Sequence, residues 1–239
     1  MSIDPRMAGL PPAVVALVHA GARALRDGQP RQAEALLLQA CAQAPAHPEP
    51  LRYLAILQLH TRRAPLAIRT LQQALAIAPD DALLHCDLGT AQSASGDIEA
   101  ALVSWDCACH LDPAQPMPWF NLGRNLQQLG RTDAAIAALQ QATVLAPELL
   151  PAKILLGDAL VHAGRFDEAA THYRAALHLQ PACGDAWRCL SFFNARATAD
   201  SYAQLFTPSL QRALTVDSVQ LAMGIALGMT QSTAASMDE

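Results

Sequence analysis

The sequence predicts an all-α protein, a solenoid in which antiparallel helix pairs of one size follow one another along the chain. Three observations carry that expectation. Prolines recur every 34 residues, at Pro45, Pro79, Pro113, Pro147 and Pro181. Alanines keep the same step in two series, Ala33, Ala67, Ala101, Ala135, Ala169 and Ala40, Ala74, Ala108, Ala142, Ala176. A small residue repeats likewise at Gly21, Ala55, Gly89, Gly123, Gly157 and Ser191. Columns that stay in register over five periods mark a stacked array rather than one globular core.

In chain order, residues 1–12 hold Pro5, Pro11 and Pro12 without a period and read as a flexible leader. The first repeat, 14–47, is expected to hold helices over about 13–26 and 31–43, separated by Gly28. Glycine returns at Gly96, Gly130 and Gly164, where the chain leaves a helix through a left-handed residue. In the second repeat, 48–81, that place is Arg62, and Pro65 opens the next helix, so this turn is expected to be built differently. The third repeat, 82–115, carries His85 and Trp105 at its two large-residue columns, and the fifth, 150–183, carries Lys153 and Tyr173 there.

The fourth repeat, 116–149, is the clearest: Trp119-x2-Leu122-Gly123-x2-Leu126, then Gly130, Ala135-x3-Leu139, Ala142 and Pro147. Gly123 and Ala135 let two helices approach closely, and Trp119, Leu122, Leu126 and Leu139 fill the space around that contact. A sixth repeat begins with Trp187, Leu190 and Ser191 and then departs from the pattern at Asn194, where a degenerate, capping region over 184–229 is expected. Within it, short helices are expected over 200–206, 208–214 and 218–228, and the polar tail 230–239 reads as disordered.

This pattern resembles the tetratricopeptide repeat (TPR) over about residues 14–198, carried by its columns more than by any one repeat. The resemblance implies a right-handed superhelical solenoid of antiparallel helix pairs. It also implies that the first helix of each repeat lines a concave groove. Carried onto this chain, the partner-binding positions are Arg52, Tyr53, Ile56, Asp87, Thr90, Phe120, Asn121, Arg124, Gln127, Ile154, Asp158, Arg188 and Phe192. Apolar anchors (Tyr53, Phe120, Ile154, Phe192) among arginines able to bind bidentately (Arg52, Arg124, Arg188) suit a helix or extended peptide bearing a few large side chains and an acid. Family members that grip an acidic C-terminus use basic residues and asparagine from adjacent repeats. Arg52, Asn121 and Arg124 fit in part, but Asp87 lies between them and would repel a carboxylate. The asparagine ladder of other members is not matched, because its column reads His19, Tyr53, Asp87, Asn121, Leu155 and Cys189.

Composition narrows the function classes. The chain is 52% hydrophobic but 5% aromatic, so alanine and leucine fill its interior, as close-packed helices allow. A net charge of −5 gives no support for nucleic acid as a partner. No apolar stretch reaches membrane-spanning length, and the run over 13–22 lacks a basic segment ahead of it. The six cysteines read as buried fillers, with Cys107 and Cys109 pointing about 200° apart on one helix. No phosphate-binding glycine loop, Cys-x-x-Cys pair or defensible nucleophile set occurs, and His172 and His178 fall on different helix faces. The expectation is therefore a non-catalytic bacterial scaffold or adaptor in the cytoplasm, with no cofactor and no metal, binding a protein or peptide in the groove. Two rivals stay open. Residues 187–228, through Phe206-Thr207-Pro208, Leu210 and Leu221-Ala222-Met223-Gly224, faintly resemble the junction in bacterial TPR–sulfotransferase proteins, which implies the recognition module of a sulfotransferase or glycosyltransferase system. The other rival is a secretion or assembly chaperone. Met223, Ile225, Leu227 and Met229 lack a covering helix and suggest modest homodimerisation.

Overall fold

The computed structural model describes residues 5–194, with backbone alone for residue 188 and for 191–194. The helices expected over 200–206, 208–214 and 218–228, the sulfotransferase-like junction beyond 194, the self-association segment and the polar tail lie outside the described residues. Within them the chain forms eleven α-helices and no strand. They are α1 (Pro12–Arg26), α2 (Pro30–Gln43), α3 (Pro48–His60), α4 (Ala64–Ile77), α5 (Ala82–Ser95), α6 (Ile98–Leu111), α7 (Pro116–Gln128), α8 (Thr132–Leu145), α9 (Leu150–His162), α10 (Phe166–Leu179) and α11 (Gly184–Asn194). The chain divides into two compact units, residues up to 122 and residues from 123 on. In the first, α1 packs on α2, α3 on α4 and α5 on α6, while α2 meets α3, α4 meets α5, and the leading helices α1, α3 and α5 also touch in succession. In the second, α9 packs against both α8 and α10, and α10 against α11.

The small-residue column explains the helix pairing. A Cβ placed on Gly21 would lie 2.7 Å from Leu37 Cγ, and one on Gly123 would lie 2.6 Å from Leu139 Cγ. At Gly89 it would meet Trp105 Nε1 at 2.7 Å, and at Gly157 the Tyr173 ring at 2.6 Å. In these four pairs the large side chain of the second helix thus lies across bare backbone of the first, sixteen residues earlier, while Ala55 holds the same place in the second repeat. The alanine columns are fully buried beside these contacts.

Gly28, Gly96, Gly130 and Gly164 end their helices with φ between +71° and +91°. The turn at Arg62 was expected to differ, and it does not. Arg62 takes φ +58°, its N–H bonds to Leu59 O at 2.9 Å, and Arg63 N–H bonds to Gln58 O at 2.7 Å. Gly28 and Gln29 make the same pair of bonds to Leu25 and Ala24. Side chains of the residues on either side, Thr61 and Arg63, brace this turn. Thr61 Oγ1 donates to Leu57 O at 3.0 Å, Arg63 Nε donates to Thr61 Oγ1 at 2.9 Å, and Arg63 Nη1 reaches Glu34 at 2.8 Å.

The flexible leader expected over 1–12 is folded from Pro5 onward. Pro5–Met7 form a 3₁₀ turn, and Met7 is 2% exposed among Val14, Val18 and Ala40. The missing period misled here: a short segment can be fixed by one buried side chain and the two ion pairs of Arg6, to Glu49 and Asp81, without belonging to a repeat.

Candidate functional site

In the first unit, the inner faces of α3 and α5 carry a line of alternating charge. Glu49 on the first turn of α3 is 1% exposed, and its two oxygens take Arg6 Nε at 2.7 Å and Arg52 Nε at 3.1 Å. Arg52 extends Nη1 to Asp87 Oδ2 on α5 at 3.2 Å, and its guanidinium lies 5.0 Å from the centroid of the Tyr53 ring. Arg6 continues to Asp81, whose other oxygen caps α5 by accepting the N–H groups of Leu83 and Leu84. Burial pushes Arg52 down, but Glu49 and Asp87 more than offset it and hold the guanidinium above its ordinary range. Burial raises the Asp87 carboxyl against the pull of Arg52.

Arg52 and Asp87 are 35 positions apart, and the same offset recurs one step on. Cys86 on α5 hydrogen-bonds the side chain of Asn121 on α7. Burial pushes the Cys86 thiol up to about 12, so it stands protonated beside that amide. Behind it, Trp105 crosses Gly89 and donates Nε1–H to the Cys86 carbonyl at 3.1 Å. The side chains that bond across leading helices also fix their spacing, so the inner wall is a bonded surface within this unit.

These positions correct the sequence reading in three respects. Arg52 is committed to Glu49 and Asp87 and does not stand ready to grip a ligand's acid. Asp87 is neutralised by Arg52 and does not act as a bare repelling charge. Phe120 is 9% exposed and Asn121 is also buried, so the ring packs into the interior and is no exposed anchor. Tyr53, Ile56 and Thr90 keep partial or full exposure on the same wall.

In the second unit, Arg124, Gln127, Ile154 and Asp158 are half-buried. Asp158 accepts the Tyr173 hydroxyl at 2.6 Å, with Cys189 Sγ 3.8 Å from the same oxygen. Burial, then Asp158, drives the Tyr173 phenol far above its ordinary range, so it stays a donor. Tyr173 was placed by sequence as interior filling; it is buried and its ring crosses Gly157, but its hydroxyl also holds Asp158. A glycine sixteen residues before a tyrosine is the signal that could have found it. The Arg188 and Phe192 side chains lie outside the described residues.

Other chemistry is sparse among the described residues. No group of three or more His, Cys, Asp or Glu is disposed to hold a metal. The cysteines are unpaired as disulfides, and burial raises Cys109 to about 12 and Cys41 to about 11. No described helix is long and apolar enough to cross a membrane. His85, Trp119 and Trp187 share one column and each brings a ring nitrogen to the carbonyl of the proline six residues earlier, at 2.9, 3.1 and 2.8 Å. Trp119 thereby ties down an interhelix loop as well as filling space.

Comparison with known proteins follows the same lines. Sequence profiles described as Tetratricopeptide repeat match residues 24–85 and, in overlapping windows, 86–149, 120–182 and 154–190. The chain is 30% identical over 93 residues to the small glutamine-rich tetratricopeptide repeat-containing protein 2 of Mycosarcoma maydis, covering 39% of this chain and 26% of that one. It is 26% identical over 138 residues to the peroxisomal targeting signal receptor of Candida glabrata, covering 57% and 23%. It therefore spans about a quarter of the length of these relatives. Among solved structures, a thermophilic TPR protein of Thermus thermophilus superposes with TM-score 0.60 at 25% identity, over 76% of this chain and 99% of that one.

Proposed function

The chain belongs to the tetratricopeptide repeat family, and we propose that it is a non-catalytic, cytoplasmic scaffold that takes a peptide or partner helix on the inner faces of its leading helices. The single observation behind this reading is the Arg52–Asp87 pair, which ties one leading helix to the next and so presets a surface. A ligand meeting preset side chains loses less conformational entropy on binding than one that must order them. Tyr53, Ile56 and Thr90 are the contact residues of the first unit, with Arg52 and Asp87 as their support and Phe120 and Asn121 as packing beneath. In the second unit, Arg124, Gln127 and Ile154 are the corresponding contacts, and Arg188 and Phe192 extend the columns by sequence position. The name of the Candida glabrata relative, a receptor for a targeting signal, is consistent with peptide recognition on this scaffold.

The test compares two changes of equal chemistry. Ile56→Arg with Thr90→Arg blocks the inner wall, whereas Val103→Arg with Val144→Arg falls on residues that are 66% and 74% exposed on α6 and α8. Partner recovery in pull-down should fall at least tenfold for the first and stay at parental level for the second. Equal recovery would overturn groove binding.

A further inference from the structure

We infer that the seat filled by residues 5–10 is a binding site for a partner segment in which arginine precedes a large unbranched apolar residue, and that the chain's own Arg6-Met7 occupies it as a resident competitor. This rests on the scaffold reading above and names the ligand chemistry of one end of the wall.

The seat has two compartments. One is anionic: Glu49 from α3 and Asp81 from the N-cap of α5 hold the Arg6 guanidinium between them. The other is apolar, with Met7 lying among Val14, Val18, Ala40 and the partly buried Tyr53. His47, which caps α3, adds a ring nitrogen 3.3 Å from the Ala8 carbonyl.

Two observations favour a ligand site over a simple cap. The first is Glu49, at 1% exposure. Arg52 serves one of its oxygens, and the other points into the seat, so whatever occupies the seat must bring a cation. The second is the surface beyond. An open cavity of about 590 Å³ begins at Arg6 and Asp81 and is lined further by Asp80 and Asp112, with Arg6 the one cation among its lining residues. A longer cationic segment would therefore find complementary charge where the resident one stops.

The resident is short. Gly9 takes φ +90°, Leu10 still packs against the apolar compartment, and α1 begins at Pro12. Its hold depends on tethering: a short linker gives an effective concentration of order millimolar, which a free peptide must exceed or out-bind. A ligand carrying the same arginine and methionine plus further basic residues would displace it.

The experiment uses the full chain and a fluorescein-labelled peptide of residues 1–12, read by fluorescence anisotropy. The Arg6→Ala/Met7→Ala chain should bind this peptide at least tenfold more tightly than the parent. Replacing both the arginine and the methionine of the peptide by alanine, or adding Glu49→Gln to the double variant, should each weaken binding at least tenfold. Equal affinity of parent and double variant, or no effect of Glu49→Gln, would overturn the proposal. If circular dichroism shows the double variant unfolded, Arg6→Ala alone, which keeps Met7 packed, gives the same contrast at a smaller factor. Sedimentation of the parent as a dimer that the double variant converts to monomer would assign the seat to a second copy and also overturn it. Failure of the peptide to bind, with the Ile56→Arg/Thr90→Arg contrast intact, removes this inference and leaves the scaffold reading. Peptide binding without that contrast does the reverse.

Discussion

The two units satisfy their inner-face carboxylates with different partners, arginines in the first and a tyrosine hydroxyl in the second. In the first, Glu49 is met by Arg6 from before α1 and by Arg52 three residues on along α3, and Arg52 carries on to Asp87 in the next helix pair. In the second, Asp158 is met by a tyrosine hydroxyl of its own helix pair that reaches across Gly157, with Cys189 Sγ of α11 3.8 Å from the same oxygen. The backbone plan is the same, but arginines link the first wall to its neighbours, whereas in the second the short bond lies within a pair and a longer Cys189 contact reaches the next helix. Stability in a repeat array is a sum of intrinsic and interface contributions. The Arg6–Glu49 and Arg52–Asp87 pairs fall in the interface share, and the Tyr173–Asp158 bond falls in the intrinsic share.

The strongest test concerns what the units have in common. Gly89→Leu and Gly157→Leu each drive a side chain into the aromatic ring lying over the gap, and each should cost about 3 kcal/mol through overpacking, measured by urea unfolding. A tolerated leucine at either site would show that the gap is not what sets helix approach there. Next, Glu49→Ala leaves Arg6 and Arg52 facing one another and should cost about 2 kcal/mol. Tyr173→Phe removes one bond to a carboxylate that water can still reach and should cost about 1 kcal/mol. Reversal of that order would mean the charged line contributes less than the buried phenol. The smallest change has the opposite sign. Arg62→Gly relieves a left-handed arginine at the expense of unfolded-state entropy, so a gain of about 0.5 kcal/mol is expected. A loss would show that Arg62 makes contacts worth more than its strain.

Periodic features were legible in the sequence because packing imposes them on every repeat. The proline, alanine and small-residue columns gave the helix pairs and their close approach, and the glycines gave four of the left-handed turns. Features that occur once were not legible. Arg62 adopts the glycine conformation because the surrounding hydrogen bonds demand it, and residue type alone argued otherwise. The segment around Met7 has no period, so its folding onto α1 and α3 could not be read from columns. Groove positions carried over from the family named Arg52 and Phe120 but could not show how they bond or pack. Whether Arg52 is offered to a ligand depends on Glu49 three residues before it and on Asp87 in the next helix pair. Phe120 likewise sits at a groove position, yet its ring turns inward.

The central claim is that leading helices of consecutive pairs lie side by side and bond across the gap. A double-mutant cycle on Arg52→Ala and Asp87→Ala, followed by urea unfolding, tests it most directly. Side chains in contact should couple by about 1 kcal/mol, with the double variant less destabilised than the sum of the singles. Strict additivity would mean that the two residues do not meet and that the inner wall is not built as described.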